Sequence, residues 1–363
     1  EHPVRIDHVT GHATVLNTRA MQVMGITQFT PDPPQGIIVR ELDGKPTGLL
    51  YEMSSYLRDR TSKSRDSIRP PIDVSKVNDL LLSRGITSIQ DAGADNGIEK
   101  WKSFKSLKGE DMLAPRVTMM IGRFHVDQFS KQGLVTGCGD DFLRVGAVKY
   151  LLTLTTGSLQ PSVEEIEREV QMIAKSGYQI AFHAVEEEAV LAAARLISGL
   201  QSPILRHRIE HCSEATPRAL LEVRRSGAVV VTNPGFLLHR GDTYLSSTPA
   251  NLLPYLYPFA ALSDANIKWA AASDAPVSPP DPLASVYAAV ARCTNTGRTF
   301  NASQSVSVID ALNAWTEMAA YSCHQEFNIG KLATGNLADM VILDRDPTEV
   351  MIEEIRDIKT CLL

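Results

Sequence analysis

The chain lacks the features that would put it in a membrane, on a nucleic acid or in a disulfide framework. No apolar run approaches the ~18 residues that a membrane-spanning helix needs. Lys and Arg number 36 against 42 Asp and Glu, a net charge of −6, and the basic residues are scattered. That distribution excludes a nucleic-acid footprint and a basic patch for anionic lipid. The five cysteines, Cys138, Cys212, Cys293, Cys323 and Cys361, are odd in number, widely spaced and form no CxxC. Such usage suits a reducing cytoplasm rather than an oxidised scaffold. None of the nine histidines forms an HxH pair. No initiator Met or signal peptide opens the chain, and KTCLL closes it in a strand-like run, so both ends read as cut.

What is present is an ordinary globular composition, 44% hydrophobic and 21% charged over 363 residues. That length fits two domains or one large α/β barrel with additions. From Gly85 onward strand and helix patterns alternate, the mark of parallel β/α units. Strands are expected at 85–93, 116–124, 144–152, 178–183, 207–211, 228–234 and 267–274. Several are nearly all-apolar, as strands buried on both faces should be. Between them PSVEEIEREVQMIAKSG predicts a helix, with Ser162 and Glu165 as a capping box and Gly177 as the stop. TPRALLEVRRSG (216–227) and DPLASVYAAVAR (281–292) predict two more. The stretch before Gly85, with turn formers such as TPDPPQG and LDGKPTG, reads as loops and short helices. A helical stretch follows at 306–325, and 330–347 reads as turn, strand, turn, strand. Seven strands leave a barrel open, so either one strand is hidden or the first lies upstream of residue 1.

The chemistry-bearing residues fall at strand ends. YQIAFH closes on His183, HRIEH on His211 and WAAASD on Asp274. In a (β/α)8 barrel the strand C-termini open on one face, so these three residues converge. Two imidazoles and a carboxylate are suitable donors for Zn²⁺ or a similar ion. Lys149 stands in the apolar run RVGAVKYLL, where a buried ammonium is costly. A neutral or carboxylated amine and a snorkelling, salt-bridged lysine both stay open there.

The chain also resembles a known family. GHATVLNTRAM, DGKPTGLL, GITSIQDAG, VGAVKYL, IAFHAVEEEAV, RHRIEHC, SDAPVSPPDPL, AVAR and GKLATGNLADMVILDRDP run in the order found in the amidohydrolase superfamily's amidohydrolase-3 (YtcJ-like) group. The resemblance covers nearly the whole chain. It implies an α/β fold, a (β/α)8 TIM-like barrel of the metal-dependent hydrolase type, flanked by part of a small β-sandwich. It also implies that His183 and His211 bind metal and that Asp274 assists the reactive water. Lys149 matches a lysine that is carboxylated in some members to bridge two metals. Two departures stand out: the family's first-strand HxH is absent, and TLTTGSLQPS replaces a DGS loop. By the family layout that first strand would precede residue 1.

Around this set, His12 follows Gly11 in a loop and His125 lies just past RVTMMIGRF; each is a substrate-contact candidate or a surface residue. His239 and Tyr244 lie in FLLHRGDTYL, read as a loop at the barrel mouth, where substrate contacts arise. Glu210 alternates with His211 along its strand and reads as the partner of Arg206 or Arg208. His207 reads as structural, and Arg292 as a salt-bridge residue. The expected layout is a barrel over 1–325, with 1–84 as insertion and loops, and 326–363 as the C-terminal part of the sandwich.

The expected activity is metal-dependent hydrolysis of a non-peptide C–N bond in an amide, carbamate or cyclic amide, with Asp274 as general base. One or two divalent ions, Zn²⁺ favoured by the imidazoles, and a small-molecule substrate complete the reading. Two alternatives are an inactive barrel serving as a binding or oligomerising scaffold, and a deaminase or isomerase on the same metal site. A homodimer stays open.

Overall fold

The computed structural model describes residues 2–33, 36–62, 73–200 and 202–361. The chain divides into two compact units, Glu1–Ile72 with Thr153–Pro161, and Asp73–Leu152 with Ser162–Leu363.

In the first unit β1 (Arg5–Asp7), β2 (Ala13–Leu16), β3 (Ile37–Arg40) and β4 (Pro46–Tyr51) form an antiparallel sheet in the order β1-β2-β4-β3. Thr14 stands opposite Leu50, and Leu50 opposite Ile38. Leu16, Ile38 and Leu50 join Ala20, Ile26, Met53 and Leu57 in one buried cluster. Gly48 has φ +94°, and a Cβ there would meet the Leu16 carbonyl oxygen at 2.2 Å. Only glycine allows that approach. The stretch that reads as loops and short helices therefore holds a sheet as well. Its strands, three to six residues long, are too short to display alternation, and their pairing is non-local.

The second unit carries β5 (Ser88–Asp91), β6 (Arg116–Gly122), β7 (Leu143–Leu151), β8 (Ile180–Ala184), β9 (Arg208–His211), β10 (Val229–Thr232) and β11 (Trp269–Ala271). All seven expected strands are present, parallel and paired in chain order, in a curled sheet corresponding to half a barrel. Among the described residues no eighth strand joins β5 to β11. Ile121, Val148, Tyr150, Ile180, Phe182, Ile209 and Val230 are fully buried, as strands covered on both faces require.

The helices follow their sequence signals. In Val163–Lys175 the Ser162 hydroxyl accepts from the Glu165 N–H at 3.3 Å, and the Glu165 carboxylate accepts from the Ser162 N–H at 2.7 Å. Val163, Ile166, Val170 and Ile173 form the buried face, and Gly177, at φ +90°, ends the helix. Pro217–Ser226 is capped by Thr216, and Pro282–Ala291 by Asp281. The stretch 306–325 breaks at Thr316 (φ −116°, ψ −91°) into Val308–Trp315 and Glu317–Ser322. In the tail β12 (Ile342–Leu343) pairs with β13 (Thr360–Cys361); the other strand expected within 330–347 is absent among the described residues. No helix among the described residues is long and apolar enough to cross a membrane.

Candidate metal centre

Parallel strands in register deliver their last residues to one edge. Lys149 lies opposite Ala181 near the end of β7, His183 on β8 lies opposite Glu210, and His211 closes β9 opposite Ala184. Asp274 follows three residues after β11. The His183 and His211 rings meet edge to face, with centroids 4.6 Å apart. His211 is 8% exposed, and its Nδ1 lies 2.7 Å from Asn233 Oδ1. Asn233 donates from Nδ2 to the Ala272 carbonyl at 3.1 Å. His211, Cys212 and Asp274 all have positive φ, at 72°, 49° and 55°. A non-glycine residue in that region costs on the order of 1–3 kcal/mol and marks sites where geometry outranks local comfort.

Burial holds the His211 imidazole below its ordinary pKa against the pull of Asp274, which favours the neutral ring that a metal requires. Burial likewise lowers the Lys149 ammonium, opposed by the charges of Glu210 and Asp274. Burial pushes the Glu210 carboxyl up, but Arg208 and Lys149 outweigh it and hold it low. Arg208 is the partner that the sequence leaves ambiguous. Its Nε and Nη2 donate to the two Glu210 oxygens at 2.8 and 2.9 Å, and its Nη1 donates to Gln90 at 2.6 Å. Arg206 instead pairs with Glu326 at 2.6 Å. Among the described residues no three His, Cys, Asp or Glu side chains stand together as a ready cage. What is pre-formed is a pair of imidazoles, with a carboxylate and a buried lysine acting on one of them electrostatically. That donor chemistry fits a divalent ion.

The remaining candidates are dispersed. His125 sits in the turn Arg123–His125 after β6, with Nδ1 3.4 Å from Gln128. FLLHRGDTYL belongs to a helix, Gly235–Ser247, rather than a loop, because Pro234 and Gly235 start a new element directly after β10. His239 is exposed on that helix. Tyr244, half-buried on it, lies 3.0 Å from the hydroxyl of Tyr257, a residue that the strand-end search misses. Burial raises the pKa of both phenols, and the charge of Asp274 reaches both. His12 belongs to the first unit, where its Nδ1 lies 2.9 Å from Glu52. Thr155 donates to the same Glu52 oxygen at 3.0 Å. A cavity of about 350 Å³ lined by Arg84, Asp281, Arg356 and Lys359 includes none of Lys149, His183, His211 and Asp274.

His207 and Arg292 are structural in different ways. Arg292 donates to the carbonyls of Leu256, Tyr257, Phe300 and Asn301 rather than to a carboxylate, which corrects the salt-bridge expectation. His207 Nδ1 accepts the Ile180 N–H at 3.0 Å, and burial pushes its pKa down to about 4. The unfolded chain, at the ordinary ~6.5, therefore takes up the proton first. The resulting stability is complete above that value and is lost as pH falls toward 4, on the order of 3 kcal/mol in all. His207→Asn, which keeps an acceptor for Ile180, is expected to flatten that part of the stability–pH curve measured by urea unfolding. An unchanged curve would show that the imidazole is not held neutral.

A family model described as "Amidohydrolase family" matches residues 1–362. The chain is similar to a Bacillus subtilis protein named as an amidohydrolase, YtcJ, at 24% identity, covering 96% of this chain and 70% of that one. It is 27% identical to the N-substituted formamide deformylase of Arthrobacter pascens, over 96% of this chain and 69% of the relative. Among solved structures, a metal-dependent hydrolase of Pyrococcus horikoshii superposes with a TM-score of 0.74 at 22% identity, covering 97% of this chain and 73% of the other. A Pyrococcus furiosus counterpart gives 0.71 at 21% identity, covering 96% and 74%.

Proposed function

We propose that this chain, which belongs to the amidohydrolase family, is a hydrolase of non-peptide C–N bonds in amides, carbamates or cyclic amides. The observation that carries the reading is the His183–His211 ring pair on neighbouring strand ends, one ring kept neutral by burial. His183 and His211 would hold a divalent ion, Zn²⁺ being favoured by imidazole donors, with Asp274 and Lys149 as further donors. Such an ion supplies a Lewis acid and lowers the pKa of a bound water toward ~7. Asp274 accepts the proton from the attacking water and delivers it to the leaving nitrogen. Burial of Lys149 favours the neutral amine that carboxylation needs. Tyr244 and Tyr257 would face the substrate, with His125 and His239 as further contacts. The formamide deformylase, named for cleavage of an amide, supports the C–N class. Four described cysteines are free of disulfides, which is compatible with a cytoplasmic setting.

Asp274→Asn, assayed with metal in excess, is expected to lower kcat roughly 10²- to 10⁴-fold on any formamide, carbamate or cyclic amide that the wild type turns over. Wild-type rates in the variant would remove the general-base role. No turnover of any of these classes by metal-loaded wild type would remove the C–N assignment.

A further inference from the structure

We propose that Asn233 is a positioning residue that fixes His211 as the tautomer protonated on Nδ1, so that Nε2 carries the lone pair offered to a divalent ion. The inference rests on the reading of His183 and His211 as metal ligands, and it goes further by assigning which nitrogen binds and what selects it.

The carboxamide of Asn233 bridges two strand ends. One side lies 3.1 Å from the Ala272 carbonyl oxygen, which can only accept, so the amide nitrogen faces it. Its other side, Oδ1, then lies 2.7 Å from His211 Nδ1. Two acceptors do not face each other at that distance, so Nδ1 carries the proton. Turning the amide over would set Oδ1 against the Ala272 oxygen and leave two acceptors in contact. A neutral imidazole has one N–H, which leaves Nε2 bare.

Neither residue has ready access to water as a substitute partner, because Asn233 is 2% and His211 8% exposed. The bridge is also anchored in the backbone. Asn233 follows directly on β10, whose Thr232 carbonyl accepts the Ala272 N–H at 2.8 Å. The amide therefore ties the tip of β9 to the tip of β11 across β10. A ligand histidine commonly has its second nitrogen fixed by such an acceptor. Here the acceptor is an uncharged amide, which orients the ring without adding a negative charge to a site that already holds Glu210 and Asp274.

The test uses the full chain, first without metal. Two-bond ¹H–¹⁵N correlation spectra, with the His211 signals assigned by their loss in His211→Gln, are expected to show the proton on Nδ1. Zn²⁺ affinity, measured by chelator competition, is expected to fall about 10- to 100-fold in Asn233→Ala. Asn233→Asp keeps the acceptor toward Nδ1 but loses the donor to the Ala272 carbonyl, and is expected to retain the tautomer. Should Asn233→Ala fail to fold, the wild-type spectrum decides.

A wild-type proton on Nε2 overturns the proposal. So does an Asn233→Ala protein with the tautomer unchanged and Zn²⁺ affinity within about twofold of wild type. An Nδ1 proton in a wild type that binds no Zn²⁺ supports the assignment of Asn233 and overturns the metal reading instead, so the two failures are distinct.

Discussion

Replacing His183 and His211 together by alanine is expected to reduce bound divalent metal from about one ion per chain to background, and hydrolysis with it. Plasma mass spectrometry on protein exchanged into metal-free buffer reads the first, and turnover of an amide or carbamate the second. The size of the effect follows from the donor count. The described residues pre-form only two imidazoles, 4.6 Å apart between ring centroids, and no third His, Cys, Asp or Glu completes a cage with them. Removing both leaves Asp274, exposed after β11, and Lys149, a buried amine, neither of which holds Zn²⁺ alone. The single variants are expected to fall between wild type and the double variant. The His211 substitution should cost more if ring orientation by Asn233 matters. Metal at the wild-type level in the double variant would show that the ion sits elsewhere. Metal absent from the wild type too would favour the non-catalytic scaffold over the hydrolase.

Arg208→Ala is expected to be the most destabilising single change in the sheet interior, by about 3–5 kcal/mol. Arg208 is 2% exposed, and its guanidinium grips both Glu210 oxygens while reaching Gln90. Truncating it strands a buried carboxylate whose largest stabilising charge is Arg208 itself. Two charges taken from water are not themselves a large gain, so Arg208→Met with Glu210→Leu should lie much closer to wild type than Arg208→Ala. For a domain of this size the single variant should lower Tm by roughly 10 °C. Equal losses in the single and double variants would mean that packing, and not the unpaired charge, sets the cost. A loss below about 1 kcal/mol would place the pair in solvent, contrary to its burial.

Much of this molecule could be read from its residues in order. The seven parallel strands were legible because strands buried on both faces are near-continuous apolar runs bounded by turn residues. The helix cap at Ser162 was legible because capping is a local hydrogen bond between residues three apart. His183, His211 and Asp274 could be nominated because strand ends of a parallel sheet share an edge, whatever the intervening helices do.

Tertiary structure decided the rest, wherever the partner lies far along the chain. The sheet of β1 to β4 depends on Gly48 letting β4 close on Leu16. Arg206 and Arg208 look alike in RHRIEH, yet the fold gives Glu210 to one and Glu326 to the other. Tyr257 came to matter only through the hydroxyl of Tyr244. Asn233, which follows directly on β10 within AVVVTNP, obeys the strand-end rule but carries no metal-ligand signal of its own. Its importance lies in a 2.7 Å hydrogen bond that forms only when β9 and β10 lie side by side. The sequence by itself determined which elements form and which donors they carry; only the packed sheet determined which nitrogen of His211 is bare, because a tautomer is selected by its neighbours in space.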